Sequence, residues 1–282
     1  MRKVFASILI LCCVLAAGCS SVSIQSASAA ADPSWNDVKT ANKLVIGIEE
    51  SFYPMTYTNE NGNPAGFGVD VAAEVCRRLG IAAEFEPVIW PEAQDALDGG
   101  EIDCIWTSCS AVVSVQDPAY PHTGGYLAGS QAVLCLTESG AQNLADLKGQ
   151  RIGVKRNSCG EQALEQSTAF RDSLASVNAY DDYESAKQSL DNKKISAVVM
   201  DYAAARYYQN QQPGIYTILS KNGGEEPEVL ATDEYCVSFR QGAESLSLKI
   251  EETLAAMRND GTLDTYQKKW FGSEFSPVSS QL

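Results

Sequence analysis

Gly66-Phe67-Gly68-Val69-Asp70-Val71-Ala72-Ala73-Glu74-Val75-Cys76-Arg77-Arg78-Leu79-Gly80 is the stretch on which the fold turns. Val71, Ala72, Val75, Cys76 and Leu79 fall at helical spacing, with Asp70 read as the cap and Gly80 as the stop. Upstream, residues 44–48 (Leu-Val-Ile-Gly-Ile) are a short β-branched run fit for a buried strand, and 55–58 before Asn59-Glu60-Asn61-Gly62-Asn63 reads as strand then turn. Downstream, 83–89 reads as a strand, 91–97 as a helix with Pro91 in its first turn, and 103–107 as another strand. Strand and helix alternate, which predicts an α/β sheet with helices on both faces.

The alternation resumes farther along. Residues 131–136 and 151–155 read as strands, 161–166 and 184–190 as helical, and 195–200 as a β-branched run ending at Asp201. A second α/β unit is expected. Residues 235–240 form a further strand pattern, followed by a helix carrying Leu246, Ile250, Leu254 and Met257, then Gly261 and a last helix to Trp270-Phe271. This last segment belongs to neither unit by order alone.

The chain has 282 residues, 45% hydrophobic and 20% charged, which excludes wholesale disorder and fibrous repeats. Lys+Arg number 21 against 36 Asp+Glu, a formal charge of −15 that repels phosphate backbones, so nucleic acid is not an expected partner. No two cysteines sit at C-x-x-C spacing and His122 is the single histidine, so no metal site is expected. With no phosphate loop or nucleophile–base pair in view, neither a cofactor nor an enzyme is expected.

The first 18 residues read as an export signal: Arg2 and Lys3, an apolar run over 4–14, then Leu15-Ala16-Ala17-Gly18-Cys19. This resembles the bacterial lipoprotein signal, which implies acylation of Cys19 and a lipid anchor on the extracytoplasmic face of the cell membrane; Ala16 departs from the usual Leu. An ordinary signal cut near Ala31 is the alternative. Residues 19–34 read as a flexible Ser/Ala-rich tether. Six cysteines remain for the fold, Cys76, Cys104, Cys109, Cys135, Cys159 and Cys236, and six thiols allow 15 pairings.

Taken together, the elements resemble the extracellular solute-binding proteins of polar amino-acid ABC importers, family 3. The resemblance is carried by Gly47 with Phe52-Tyr53-Pro54, by Asn61-Gly62 before Gly66-Phe67-Gly68-Val69-Asp70, and by Gly99-Gly100-Glu101-Ile102-Asp103. It continues through residues 146–154 (Asp-Leu-Lys-Gly-Gln-Arg-Ile-Gly-Val), Ala197-Val198-Val199-Met200-Asp201, and Asp260-Gly261-Thr262 to Lys269-Trp270-Phe271. It implies a two-lobed periplasmic-binding-protein fold of type II, with a ligand cleft between lobes joined by two crossing strands. Lobe 1 is expected over 35–125 and 235–275, and lobe 2 over 126–234. Gly124, Gly125 and Gly129 flank the first crossing and read as hinge residues. The implied function is the substrate-binding component of an importer that works with ABC permease and ATPase subunits. A dehydratase-like enzyme on the same fold, or a sensor for a membrane receptor, are the alternatives.

The pocket for a polar zwitterion must supply an anion, donors and flat apolar walls. By the resemblance, Phe52 and Trp90 are the stacking aromatics, Asp201 is the acid for the ligand ammonium, and Glu49 reads the side-chain end. Asp201 also reads as a helix cap, and Glu49 as a solvated charge. Carboxylate recognition departs from the family: its Thr-x-Thr-x-x-Arg run is here Thr107-Ser108-Cys109-Ser110-Ala111-Val112-Val113-Ser114-Val115-Gln116, with no Lys or Arg anywhere from 79 to 147. Ser108 and Ser110 keep ligand-contact positions, or are loop serines. Two outcomes are expected: a ligand whose carboxylate is absent or masked, such as an amine, amide or peptide-like solute, or a substitute anion site at Lys155-Arg156-Asn157-Ser158, where a strand leads into a helix. Strand alternation lets only one of Lys155 and Arg156 face the cleft. Cys109 and Cys159 fall at family contact positions on opposite lobes, implying a redox-sensitive cleft or a thiol ligand. His122 is expected to pack where the family has a core Phe.

Overall fold

The β-branched run at 44–48 is buried because it becomes an interior strand, with Leu44, Ile46 and Ile48 almost inaccessible to solvent. The structure, a computed structural model, describes residues 32–108 and 119–272. Its strands are β1 (Lys43–Ile48), β2 (Ser51–Phe52), β3 (Thr56–Thr58), β4 (Pro64–Ala65), β5 (Ala82–Pro87), β6 (Cys104–Ser108), β7 (Leu127–Leu136), β8 (Arg151–Lys155), β9 (Ser176–Tyr180), β10 (Ala197–Asp201), β11 (Tyr216–Ile218) and β12 (Val229–Phe239). All but the small β2-β3-β4 meander join one sheet in the order β5-β1-β6-β12-β7-β10-β8-β9, with β11 on β7.

That order explains two lobes with one sheet. Parallel pairs β5-β1-β6 build one half and parallel pairs β10-β8-β9 the other. Between them run β7 and β12, antiparallel to each other, with Leu127 opposite Tyr235 and Ala128 opposite Glu234. β12 continues along β6 through residues 235–239, while β7 continues along β10. Two long strands are therefore the covalent bridge between halves. The two halves also turn the carboxyl ends of their parallel strands toward each other, the place where open α/β sheets bind ligands.

The helix on which the sequence reading turned spans Phe67–Leu79, three residues earlier than its expected cap. Gly66, at φ 130°, is the capping position, and a Cβ there would drive into the Met55 carbonyl. Asp70 lies in the first turn instead, where it accepts from Trp270 Nε1 at 2.7 Å and pairs with Lys269. Its role is to fasten helix Thr262–Phe271 to lobe 1. The Leu246, Ile250, Leu254 and Met257 stripe is buried as its spacing predicts, in helix Glu244–Asn259 against helices Ser34–Ala41 and Phe67–Leu79. Residues 90–92 make a separate 3₁₀ turn before helix Ala93–Asp98, so Pro91 opens a turn rather than the helix.

Gly125 and Gly129 at the first crossing lie close to the second crossing strand. None of Gly124, Gly125 and Gly129 has positive φ. A Cβ on Gly125 would strike the Glu234 side chain, and one on Gly129 the Asp233 carboxylate. Glycine is required there by the close approach of the partner crossing strand. His122 is exposed, donating through Nδ1 to the Thr123 carbonyl (2.9 Å), and fills no core position. Cys236 is disulfide-bonded, whereas Cys76, Cys104 and Cys135 are free and buried, the last two in strands. The export signal, Cys19, Cys109 and Ser110 lie outside the described residues. Among the described residues no helix is long and apolar enough to cross a membrane.

Candidate functional site

Four strand ends supply the site. Glu49 follows β1, Trp90 follows β5, Lys155 is the last residue of β8 and Asp201 the last of β10. Each side chain stands where its strand stops pairing, so each is aimed into the gap between the lobes. Phe52, in β2, covers them from lobe 1. Tyr183, first residue of helix Tyr183–Asp191, covers them from lobe 2.

Lys155 is the centre of this arrangement. Its Nζ lies 2.6 Å from Glu49 Oε2, across the lobes, with the two side chains 3% and 6% exposed. The same ammonium sits 5.0 Å from the ring centroid of Phe52, 4.7 Å from Trp90 and 4.8 Å from Tyr183. Removing two charges from water costs several kcal/mol per ion, and a single close contact offsets this only with further favourable partners. Three π faces provide them, at about 0.5 to 2 kcal/mol each. The walls are themselves fixed across the gap. Trp90 Nε1 donates to the Asn157 carbonyl at 2.9 Å, and the Phe52 and Tyr183 rings lie 5.4 Å apart. Asn157 holds φ 54°, a left-handed conformation that asparagine tolerates well.

Asp201 is both a cap and more than a cap. Its Oδ1 accepts from Ala203 N at 3.0 Å, closing the start of helix Tyr202–Gln211. Its Oδ2, fully buried, makes no well-aligned hydrogen bond. Burial, with the Asp233 carboxylate second, pushes its pKa up from 3.8 to about 7; the Tyr235 hydroxyl, the Ala203 N–H and the Lys155 ammonium pull the other way and lose. Asp201 N donates to the Tyr183 hydroxyl at 3.2 Å, which ties the acid to the aromatic cage. Burial and the Asp201 charge raise both Tyr183 and Tyr235 well above the usual phenol range, so both stay neutral donors. Beside them Gln131 Nε2 donates to Asp233 Oδ2 at 2.9 Å.

A profile of one protein family, described as bacterial extracellular solute-binding proteins, family 3, matches residues 44–273. The chain belongs to that family. Among curated relatives, the L-cystine-binding protein TcyJ of Escherichia coli (strain K12) is 27% identical over 241 residues, 85% of this chain and 86% of the relative. Among solved structures, Tv2483 bound to L-arginine is 32% identical with a TM-score of 0.76, covering 86% of this chain and 95% of that one. A substrate-binding protein of an ABC uptake transporter from Streptococcus pneumoniae, with bound histidine, is 25% identical with a TM-score of 0.78, covering 88% and 99%. These neighbours share the two-lobed type II fold described above.

In this solute-binding protein the sequence-expected residues divide. Glu49, Phe52, Trp90, Lys155 and Asp201 meet in one buried cluster. Arg156 does not: it is exposed and pairs with Asp181 at 3.3 Å, on the side opposite Lys155 as alternation requires. Ser158 is buried but occupied, its hydroxyl donating to the Lys155 carbonyl at 2.6 Å and accepting from Glu161 N at 3.2 Å. The Glu161 carboxylate in turn accepts from Asn157 N at 2.7 Å. The start of helix Cys159–Gln166 is thus closed by its own side chains, which corrects the expectation of an anion site on Ser158. Glu49, 6% exposed, is no solvated charge. Ser108 ends β6 opposite Tyr235. Tyr183, Tyr235, Gln131 and Asp233 were not singled out by sequence: an aromatic after a helix cap, or polar residues inside strands, carry no local signal that separates cleft from core.

Proposed function

We propose that this protein is the extracytoplasmic substrate-binding component of an ABC importer, and that it takes a small, polar, amine-bearing and amino-acid-like solute between its lobes. The observation that carries this reading is Asp201 Oδ2: a buried carboxylate oxygen without an aligned donor, at the carboxyl end of a parallel strand, beside a three-ring aromatic wall. Its charged form is unfavourable until a cation arrives, and an ammonium supplies both charge and hydrogen bond. Cystine, arginine and histidine, named for the relatives, share that group. Charge balance points the same way, since the Lys155 ammonium is paired with Glu49 while Asp201 lies beside a second carboxylate, Asp233. With the family arginine missing from 107–116, the amine rather than the carboxylate is the end this cleft is built to hold.

Binding then closes lobes bounded near 126 and 234 and presents them to permease and ATPase partners. Cys19 acylation anchors the protein through the 19–34 tether. A non-enzymatic role fits the site, because Glu49, which an acid–base reading would need, is held by Lys155. A thermal-shift panel of the twenty amino acids, amines and short peptides, followed by calorimetry and solution scattering, tests the reading. An amine-bearing solute that stabilises the protein and compacts it supports the proposal; binding confined to carboxylates without an amine overturns it.

A further inference from the structure

We propose that Lys155 sets the selectivity of the cleft by occupying, from within the chain, the place between Phe52 and Trp90 that a basic side chain would take. The protein then rejects basic amino acids and accepts amine-bearing solutes with uncharged side chains. This rests on the reading of Asp201 as the site of the solute's main ammonium and goes on to the opposite end of the pocket.

The shell around Lys155 Nζ is the one a free cation would seek. One carboxylate oxygen lies at 2.6 Å, three ring centroids lie within 5.0 Å, and the side chain is 3% exposed. A guanidinium or ammonium from a solute finds its carboxylate engaged, its π faces covered and a like charge at the centre. Two cations at contact distance that share one carboxylate in a buried site repel. Covalent attachment makes the competition lopsided. Lys155 is held at the end of β8, and its neighbour Ser158 fastens the backbone by a 2.6 Å bond to the Lys155 carbonyl. A group tethered this way is presented at an effective concentration of the order of millimolar, so a lysine head with an intrinsic dissociation constant of about 1 to 10 micromolar for the cage weakens a basic solute about 100- to 1,000-fold. A solute with an uncharged side chain does not contest the Glu49 oxygen and escapes most of this penalty.

Glu49 keeps a second acceptor. Its Oε1 is buried without a hydrogen-bond partner, beside the pair. A neutral donor, such as an amide or hydroxyl on the solute, satisfies that oxygen while leaving Lys155 in place. A cation arriving there instead has to share the carboxylate with the resident ammonium.

Calorimetry on the wild type and Lys155→Met, with arginine, lysine, glutamine and serine, tests the inference. Met keeps the apolar stem and deletes the charge. The expected result is that the wild type binds arginine and lysine at least 100-fold more weakly than the better of the two uncharged solutes. Lys155→Met gains at least tenfold for the basic pair, and the gain vanishes in Glu49→Gln/Lys155→Met. Wild-type binding of arginine as tight as that of the uncharged solutes overturns the inference, as does a folded Lys155→Met with no gain. A second measurement needs no variant to fold: lysine-selective proton–nitrogen correlation spectra of the wild type should contain one ammonium signal shifted by ring currents and slow to exchange. If no such signal exists, the cage is not occupied and the inference fails. If that signal is present but no amino acid binds either protein, the importer reading fails while the occupancy stands.

Discussion

Replacing Asp201 with Asn separates two roles that one carboxylate combines. The amide keeps Oδ1 as the acceptor for Ala203 N, so the helix cap survives, while the titratable charge is removed. In the wild type the carboxyl pKa rises from 3.8 to about 7 on folding. Between those values the folded protein holds a proton that the unfolded chain has lost, so stability falls as pH rises through the window. Three units at ~1.4 kcal/mol each put the ceiling at about 4 kcal/mol. The variant has no such slope. Its amide N–H₂, buried beside the same neighbours, returns about 1 to 3 kcal/mol of that advantage for want of a good acceptor. Asp201→Asn should therefore be more stable than wild type at pH 8, by about 1 to 3 kcal/mol, and no more stable at pH 4. Solute affinity moves the other way, since a charged hydrogen bond becomes a neutral one, costing about 1.5 to 3 kcal/mol or roughly 10- to 150-fold. Urea unfolding at several pH values and calorimetry at pH 8 measure both. A variant that is destabilised at pH 8 and binds solute as tightly as wild type makes Asp201 a plain cap and refutes the reasoning.

The remaining predictions concern other parts of the same structure. Wild-type affinity for the amine-bearing solute should fall by up to tenfold per pH unit below about 7, because binding requires the Asp201 carboxylate and expels its proton; calorimetry in buffers of differing ionisation heat reads the released proton. Lys155→Met should lose about 3 to 5 kcal/mol in urea unfolding, since it strands the buried Glu49 charge, and Glu49→Gln on that background should recover most of it. Gly66→Ala should destabilise by more than 2 kcal/mol, because an added Cβ meets the Met55 carbonyl at a backbone angle that L side chains rarely adopt; a change under 0.5 kcal/mol contradicts the packing. Cys19→Ser should release the protein from the membrane fraction, and unchanged membrane association places the anchor elsewhere.

Periodicity made the fold legible where an interior strand is a β-branched run or a core helix carries its stripe locally. Residues 44–48, 151–155 and 246–257 needed no partner to be recognised. The crossings were harder, since β7 and β12 extend past their apolar cores into residues such as Ala128, Asp233 and Glu234, whose strand character comes only from pairing with each other. Of the nine residues read as the candidate site, five converge, yet their arrangement was hidden. Glu49 and Lys155 are 106 positions apart, and neither sequence window contains the other's charge. Strand alternation limited the cleft to one of Lys155 and Arg156 but could not say that it would be Lys155 and would lie within a cage. Ser158 failed for a similar reason: a hydroxyl before a helix is equally good as a ligand donor and as a cap, and only the 3.2 Å bond from Glu161 N decides between them.

The fastening of Asp70 by Lys269 and Trp270 also dictates an order of assembly. Strands β7 through β11 and their helices are contiguous in the chain, so that half can close as soon as residue 218 is available. The other half cannot. Its strand β6 waits for 235–239 of β12 to pair along it, and the apolar faces of helices Ser34–Ala41 and Phe67–Leu79 wait for the helix at 244–259. A chain threading out from its N-terminus therefore spends the passage of residues 109–234 with an open sheet edge and bare helix faces, the features that invite aggregation or chaperone capture. Truncation before residue 235 leaves that first half permanently unsealed, however well the second half has folded.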